Sequence, residues 1–84
     1  MLVKQLITKY LEKLKSVNRY SNNTITAYSN DLKVFHEFCE NYSRAEIESI
    51  SERFIKSYLM FLSETGLDKK SIARKLASVR GLFK

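Results

Sequence analysis

The side chains with the most chemistry to offer here are cations, and they are spaced for a helix. Lys70 and Arg74 stand four residues apart near the end of the chain, so a helix would put them one turn apart on one face. Ala77, Ser78 and Gly81 continue that face with almost no side chain, and Lys69, Lys75 and Arg80 flank it. A helix of this kind can approach another surface closely while two long cations reach it. The groups that suit such cations are phosphates, which Lys and Arg hold by charge-assisted hydrogen bonds. A second polar face runs through Asn22, Thr26, Asn30, Lys33 and Glu37, and its first four members are uncharged or basic. Ser21 and Thr24 open the same stretch, with Arg19 just before them. A helix N-terminus carries partial positive charge and free amides, a third seat for a phosphate.

Other chemistry is hard to assemble from these residues. The single His36 and single Cys39 lie one helical turn apart, and no second pair exists to complete a tetrahedral metal site. No Ser or Cys has a His and a carboxylate at a recognisable nucleophile spacing. The two glycines stand alone, so there is no phosphate-cradling loop, and the pairs Glu37/Glu40 and Glu46/Glu48 lie on surface-like segments. The expectation is no catalytic residue, no metal, no cofactor and no small-molecule substrate.

The elements that would position the cations are helical. Pro is absent, and strand-like alternation is scarce. From Ser21 to Tyr42, Ile25, Tyr28, Leu32, Phe35 and Cys39 recur at three- and four-residue steps, and Ala27, Val34, Phe38 and Tyr42 widen the stripe. A helix apolar over so much of its girth must be covered on several sides, so this one is expected at the centre of a bundle, with Ser21 as its N-cap. Before it, Leu2 to Val17 read as an amphipathic helix with Lys4, Lys9, Lys13 and Lys15 on the outer side. After it, residues 43–51 read as a loop with room for a short turn of helix, whose Ile47 and Ile50 tuck back onto the core. A third helix follows over about Glu52–Thr65, capped by Ser49 or Ser51 and ended by a left-handed Gly66. The last begins after Asp68, with Ile72, Leu76, Val79 and Phe83 as its buried stripe.

Eighty-four residues suffice for one small domain. The formal net charge of +6 is uneven. Both ends of the chain are basic and the middle is acidic, which suggests one positive face and an acidic partner such as nucleic acid. Ordinary solvated lysines would give the same count. No apolar run reaches the ~20 residues that span a bilayer, so no membrane association is expected. The N-terminal stretch has charges through its apolar positions, unlike a signal peptide. A lone Cys39 on the apolar stripe fits a reducing, cytoplasmic setting and a core role.

The run from Ser21 through Thr24, Tyr28, Asp31 and Leu32 to Phe35 resembles the S-x-x-T-x-x-x-Y-x-x-D-L-x-x-F signature of tyrosine recombinases. The run Lys70 to Phe83 resembles the last helix of the same N-terminal domain. The resemblance covers essentially all of residues 1–84 and implies an all-α, four- to five-helix orthogonal bundle of SAM-like type. In that family this domain is half of a clamp on double-stranded DNA, and full-length proteins assemble with one another on it. The catalytic half, with its His-x-x-Arg element and nucleophilic Tyr, would lie outside these residues, since His36 is followed by Glu37, Phe38 and Cys39. The implied role is DNA binding for integration or recombination, without strand cleavage by this segment. Candidate contacts, mainly to phosphate, are Arg19, Ser21, Asn22, Thr24, Thr26, Asn30, Lys33, Lys69, Lys70, Ser71, Arg74, Lys75, Ser78 and Arg80. The alternative is a protein-interaction module without DNA binding, docking through Gly81 and an exposed Leu82.

Overall fold

The computed structural model describes residues 1–17 and 20–83. Four helices follow one another: α1 (Val3–Ser16), α2 (Asn22–Asn41), α3 (Glu52–Glu64) and α4 (Lys69–Leu82), with a single 3-10 turn at Ile47–Ser49 before α3. The SAM-like, all-α expectation holds.

Three of the four starts carry an oxygen cap. Ser21 Oγ accepts from the Thr24 amide at 3.1 Å, Ser51 Oγ from the Phe54 amide at 3.1 Å, and Asp68 Oδ1 from the Ser71 amide at 3.1 Å. Of the two serines offered for α3, Ser51 is the cap, and Ser49 closes the 3-10 turn instead. Gly66 adopts φ +82° after α3, as a left-handed terminator does. The end of α2 has the same geometry without a glycine. The Arg44 amide donates to the Cys39 carbonyl at 2.7 Å, the Ser43 amide donates to the Glu40 carbonyl at 3.1 Å, and Ser43 takes φ +58°.

α2 is central, as its girth requires: it packs against both α1 and α4. Leu32, Phe35, Phe38 and Cys39 join Val3, Phe54, Tyr58, Leu62, Val79 and Leu82 in one core. Phe38 is its aromatic hub, 5.1 Å between ring centroids from each of Phe54, Tyr58 and Phe61. Ile47 and Ile50 pack against this core from the loop. Tyr42 does not: its ring leans on Phe38 at 4.8 Å but stands exposed at the last turn of α2. The start of α1 is clipped to the loop after α2. The Val3 amide donates to the Ala45 carbonyl at 2.8 Å and the Ile47 amide to the Met1 carbonyl at 3.0 Å. The result is a slab of 33 × 31 × 18 Å, about two helices thick.

Candidate nucleic-acid interface

The organising group on the basic side is an acid. Asp31 occupies the α2 stripe between Tyr28 and Phe35 and is 0% exposed. A carboxylate there needs cationic partners, because an unpaired buried charge is far too costly to keep. α4 supplies them. Arg74 Nε donates to Oδ2 at 2.9 Å and Nη2 to Oδ1 at 3.1 Å, a bidentate fork. Lys75 Nζ donates to Oδ1 at 2.8 Å. Ser78 Oγ lies 3.1 Å from the Arg74 carbonyl and 3.4 Å from Oδ2, so its one proton goes chiefly to the nearer carbonyl. Burial pushes the Asp31 carboxyl up, but the hydrogen bonds and charges of Arg74 and Lys75 outweigh it and hold the group below the usual Asp value.

The three α4 side chains differ in what they leave free. The Arg74 side chain is 50% exposed, whereas that of Lys75 is 12% exposed. Ser78 is buried at 1%. Lys75 and Ser78 are thus turned inward to Asp31 and leave the set of candidate contacts. Of the small residues on that face, Ala77 is exposed, but Gly81, like Ser78, is turned toward another helix. A Cβ on Gly81 would stand 2.6 Å from the Tyr10 hydroxyl, so Gly81 makes room for α1 rather than for an outside surface. Leu82, read as an exposed docking residue, is in the core. α4 is therefore rolled toward the flank that looked polar. Its buried residues are Ser78, Val79 and Leu82, while Ile72, Leu76 and Phe83 are only half-buried.

The remaining candidates are mostly at the surface. Lys69, Lys70 and Arg80 on α4 are exposed, and Ser71 is half-buried with its amide bound to Asp68. Those Ser71 hydrogen bonds hold the Asp68 carboxyl below its ordinary value, so the first turn of α4 already has its own anion. On α2, Ser21, Asn22, Thr26, Asn30 and Lys33 are exposed. Thr24 is half-buried, its hydroxyl 3.0 Å from that of Ser21. The Ser and Thr of the signature therefore form the helix cap. Arg19 lies outside the described residues.

Lys33 and Asp31 are two residues apart, so they sit roughly 200° apart around α2. Lys33 accordingly borders α1, sharing a shallow groove with Lys4, Ile7, Thr8, Ser29 and His36. The polar face of α2 is thus flanked by cations on two sides, Arg74 from α4 on one and Lys33 with Lys4 on the other. Thr26 and Asn30 lie between. Sequence reasoning placed Lys33 and Arg74 together and missed Asp31. The available signal was an acid inside an apolar stripe with a basic helix elsewhere in the chain to answer it.

The sequence model of the family described as phage integrase, N-terminal SAM-like domain matches residues 7–84. Among similar proteins, tyrosine recombinase XerC of Leptospira interrogans serovar copenhageni is 43% identical over 77 residues, covering 90% of this chain and 24% of that protein. XerC of Rickettsia typhi is 36% identical over 88 residues, covering 98% of this chain and 28% of that protein. Tyrosine recombinase XerD of Staphylococcus epidermidis is 33% identical over 75 residues, covering 89% of this chain and 25% of that protein. The chain spans about a quarter of the length of these relatives. No solved structure matches it. With four helices in one bundle and a match over nearly its whole length, the chain belongs to the phage integrase N-terminal SAM-like domain family.

Proposed function

We propose that this domain binds duplex DNA as the non-catalytic half of a tyrosine recombinase clamp, mainly through phosphates. The observation that carries the proposal is the likeness, over 90% of the chain, to proteins named tyrosine recombinases. The geometry supports a location: exposed Lys69 and Lys70, the outer edge of Arg74, the polar face of α2 through Thr26 and Asn30, and Lys33 beyond it. Contacts of this kind position a protein on the backbone and carry little sequence information. Strand cleavage and joining would belong to a catalytic part outside these residues. Copies of the full-length protein would assemble on the recombination site, in the cytoplasm where the chromosome is. Among the described residues no helix is long and apolar enough to cross a membrane. The alternative of docking through Gly81 and an exposed Leu82 is weakened, because Leu82 is buried in the core and Gly81 is half-buried against Tyr10.

The test is a salt titration of binding to a labelled duplex, read by fluorescence anisotropy. Lys70→Ala is compared with Lys56→Ala, an exposed lysine on α3. Affinity should fall steeply with salt. Lys70→Ala should weaken binding alike on unrelated sequences and lower the slope of log K against log salt by about one, while Lys56→Ala should not. No salt-dependent binding, or equal effects of the two substitutions, would overturn the proposal.

A further inference from the structure

The ion cluster between α2 and α4 holds more cation than it needs. One carboxylate, Asp31, faces both Arg74 and Lys75, so the cluster keeps a net positive charge. The two cations are disposed differently. Lys75 is nearly buried and ends on Oδ1, so its role is complete inside the fold. Arg74 engages Asp31 through one edge only, by Nε and one Nη2 hydrogen. A guanidinium has five N–H donors in a rigid plane, so three remain: two along the outer Nη1/Nη2 edge and one on Nη1 beside Cδ, none of them aimed at the carboxylate. Half of that side chain is exposed. The planar fork fixes the outer edge once the inner edge is held. A free surface arginine has no such restriction and must be ordered by whatever it binds.

We propose that Asp31 is a positioning residue: it grips the inner edge of Arg74 so that the outer edge is presented, already oriented, to a phosphate of duplex DNA, while Lys75 offsets the carboxylate's charge. The inference rests on the duplex-binding function proposed above. It separates Arg74 and Lys75, which sequence alone grouped as phosphate contacts, and adds a third role: Arg74 touches the phosphate, Lys75 balances charge and Asp31 sets the geometry. It also makes a prediction opposite to simple electrostatics. Asp31→Asn raises the net charge by one, and bulk attraction alone would then tighten binding. Positioning requires that it weaken.

Duplex affinity is measured across a salt series for the unsubstituted chain, Asp31→Asn, Arg74→Gln and the double variant, each at a temperature where circular dichroism shows it folded. Asp31→Asn should bind about 3- to 10-fold more weakly, with the salt slope reduced by about one, as expected for one lost phosphate contact. The double variant should be no weaker than Arg74→Gln alone, because Asp31 acts only through Arg74. A loss caused by general loosening would add to the Arg74→Gln loss and would overturn the proposal. Equal or tighter binding by Asp31→Asn would overturn it as well. A second readout avoids substitution altogether. In the unsubstituted chain labelled with nitrogen-15, the Arg74 Nε–H resonance should be sharp and should stay at its position when duplex is added, since that edge stays on Asp31. Its disappearance or a large shift would mean that the ion pair opens on binding, against the proposal. If the unsubstituted chain shows no salt-dependent binding, the DNA-binding function itself fails and the positioning role falls with it. If it binds and only the Asp31 results go the other way, the positioning role fails alone.

Discussion

Asp31 makes a local rule of helix grammar fail for a reason. An acid at a stripe position should weaken a core helix, yet here it is the point at which α4 attaches to α2. Its carboxyl is held below the usual Asp value of about 3.9. The unfolded chain therefore takes up the proton first as pH falls. The stabilisation is complete above about pH 5 and drains away below about pH 4 as the folded group protonates. Denaturant unfolding followed by circular dichroism between pH 6 and pH 2 should show the unsubstituted chain losing stability more steeply over the acid range than Asp31→Asn does. Equal slopes would mean that the ion pair adds nothing to the fold. Removing Arg74 instead leaves the buried carboxylate with Lys75 alone, and a broken buried pair typically costs about 3–5 kcal/mol. A weaker-binding Arg74→Ala variant would therefore confuse a lost contact with a loosened bundle. Tyr58 is a second buried polar group beside this network, and its hydroxyl has no hydrogen-bond partner among the described residues. Burial, with the nearby Asp31 charge, pushes its pKa upward.

At the level of elements, most of the architecture could be read from the chain. Four apolar stripes, three oxygen caps and one terminal glycine set the helix boundaries to within a residue or two, because each is a short-range signal. The signals that failed were those depending on another helix. Periodicity gave α4 a stripe through Ile72, Leu76, Val79 and Phe83, but Asp31 draws the Lys75–Ser78 flank inward and the helix rolls with it. The end of α2 was marked less clearly, since Ser43 stands in a left-handed position that glycine usually fills. The candidate interface was legible as a set of cations, not as a division of labour among them. Gly81 belongs to the same scale, because its intrinsic helix-propensity cost of about 1 kcal/mol relative to Ala is met at a position where its neighbour on α1 crowds any added methyl group. Thermal unfolding of Gly81→Ala should gain that propensity only where the Tyr10 hydroxyl does not obstruct the new methyl group. The substitution should thus be more favourable in a Tyr10→Phe background than in the unsubstituted chain, by about 1 kcal/mol. Equal effects in the two backgrounds would show that the tyrosine swings aside freely.

Taken whole, the molecule is a thin slab whose one cysteine lies in its middle. Cys39 is fully buried, and that burial pushes its thiol pKa up to about 12, far from the thiolate that reacts. A disulfide reagent at neutral pH should label it only through opening of the core, so the labelling rate should rise with denaturant in step with global unfolding. Fast labelling in buffer would show that α2 opens locally while the rest of the bundle stays folded. The slab form also sets how the proposed DNA face is built: no cleft is needed, only the breadth of α2 with cations from α1 and α4 at its borders. The arrangement around Asp31 finally constrains how such a sequence can drift. Losing the acid alone leaves Arg74 and Lys75 repelling each other at the helix contact, and losing either cation alone leaves the buried acid with one partner. Each single change passes through a poorer bundle before a second can repair it. Descendants of this sequence should therefore keep positions 31, 74 and 75 together or exchange them together, a linked inheritance that no one of the three residues would impose by itself.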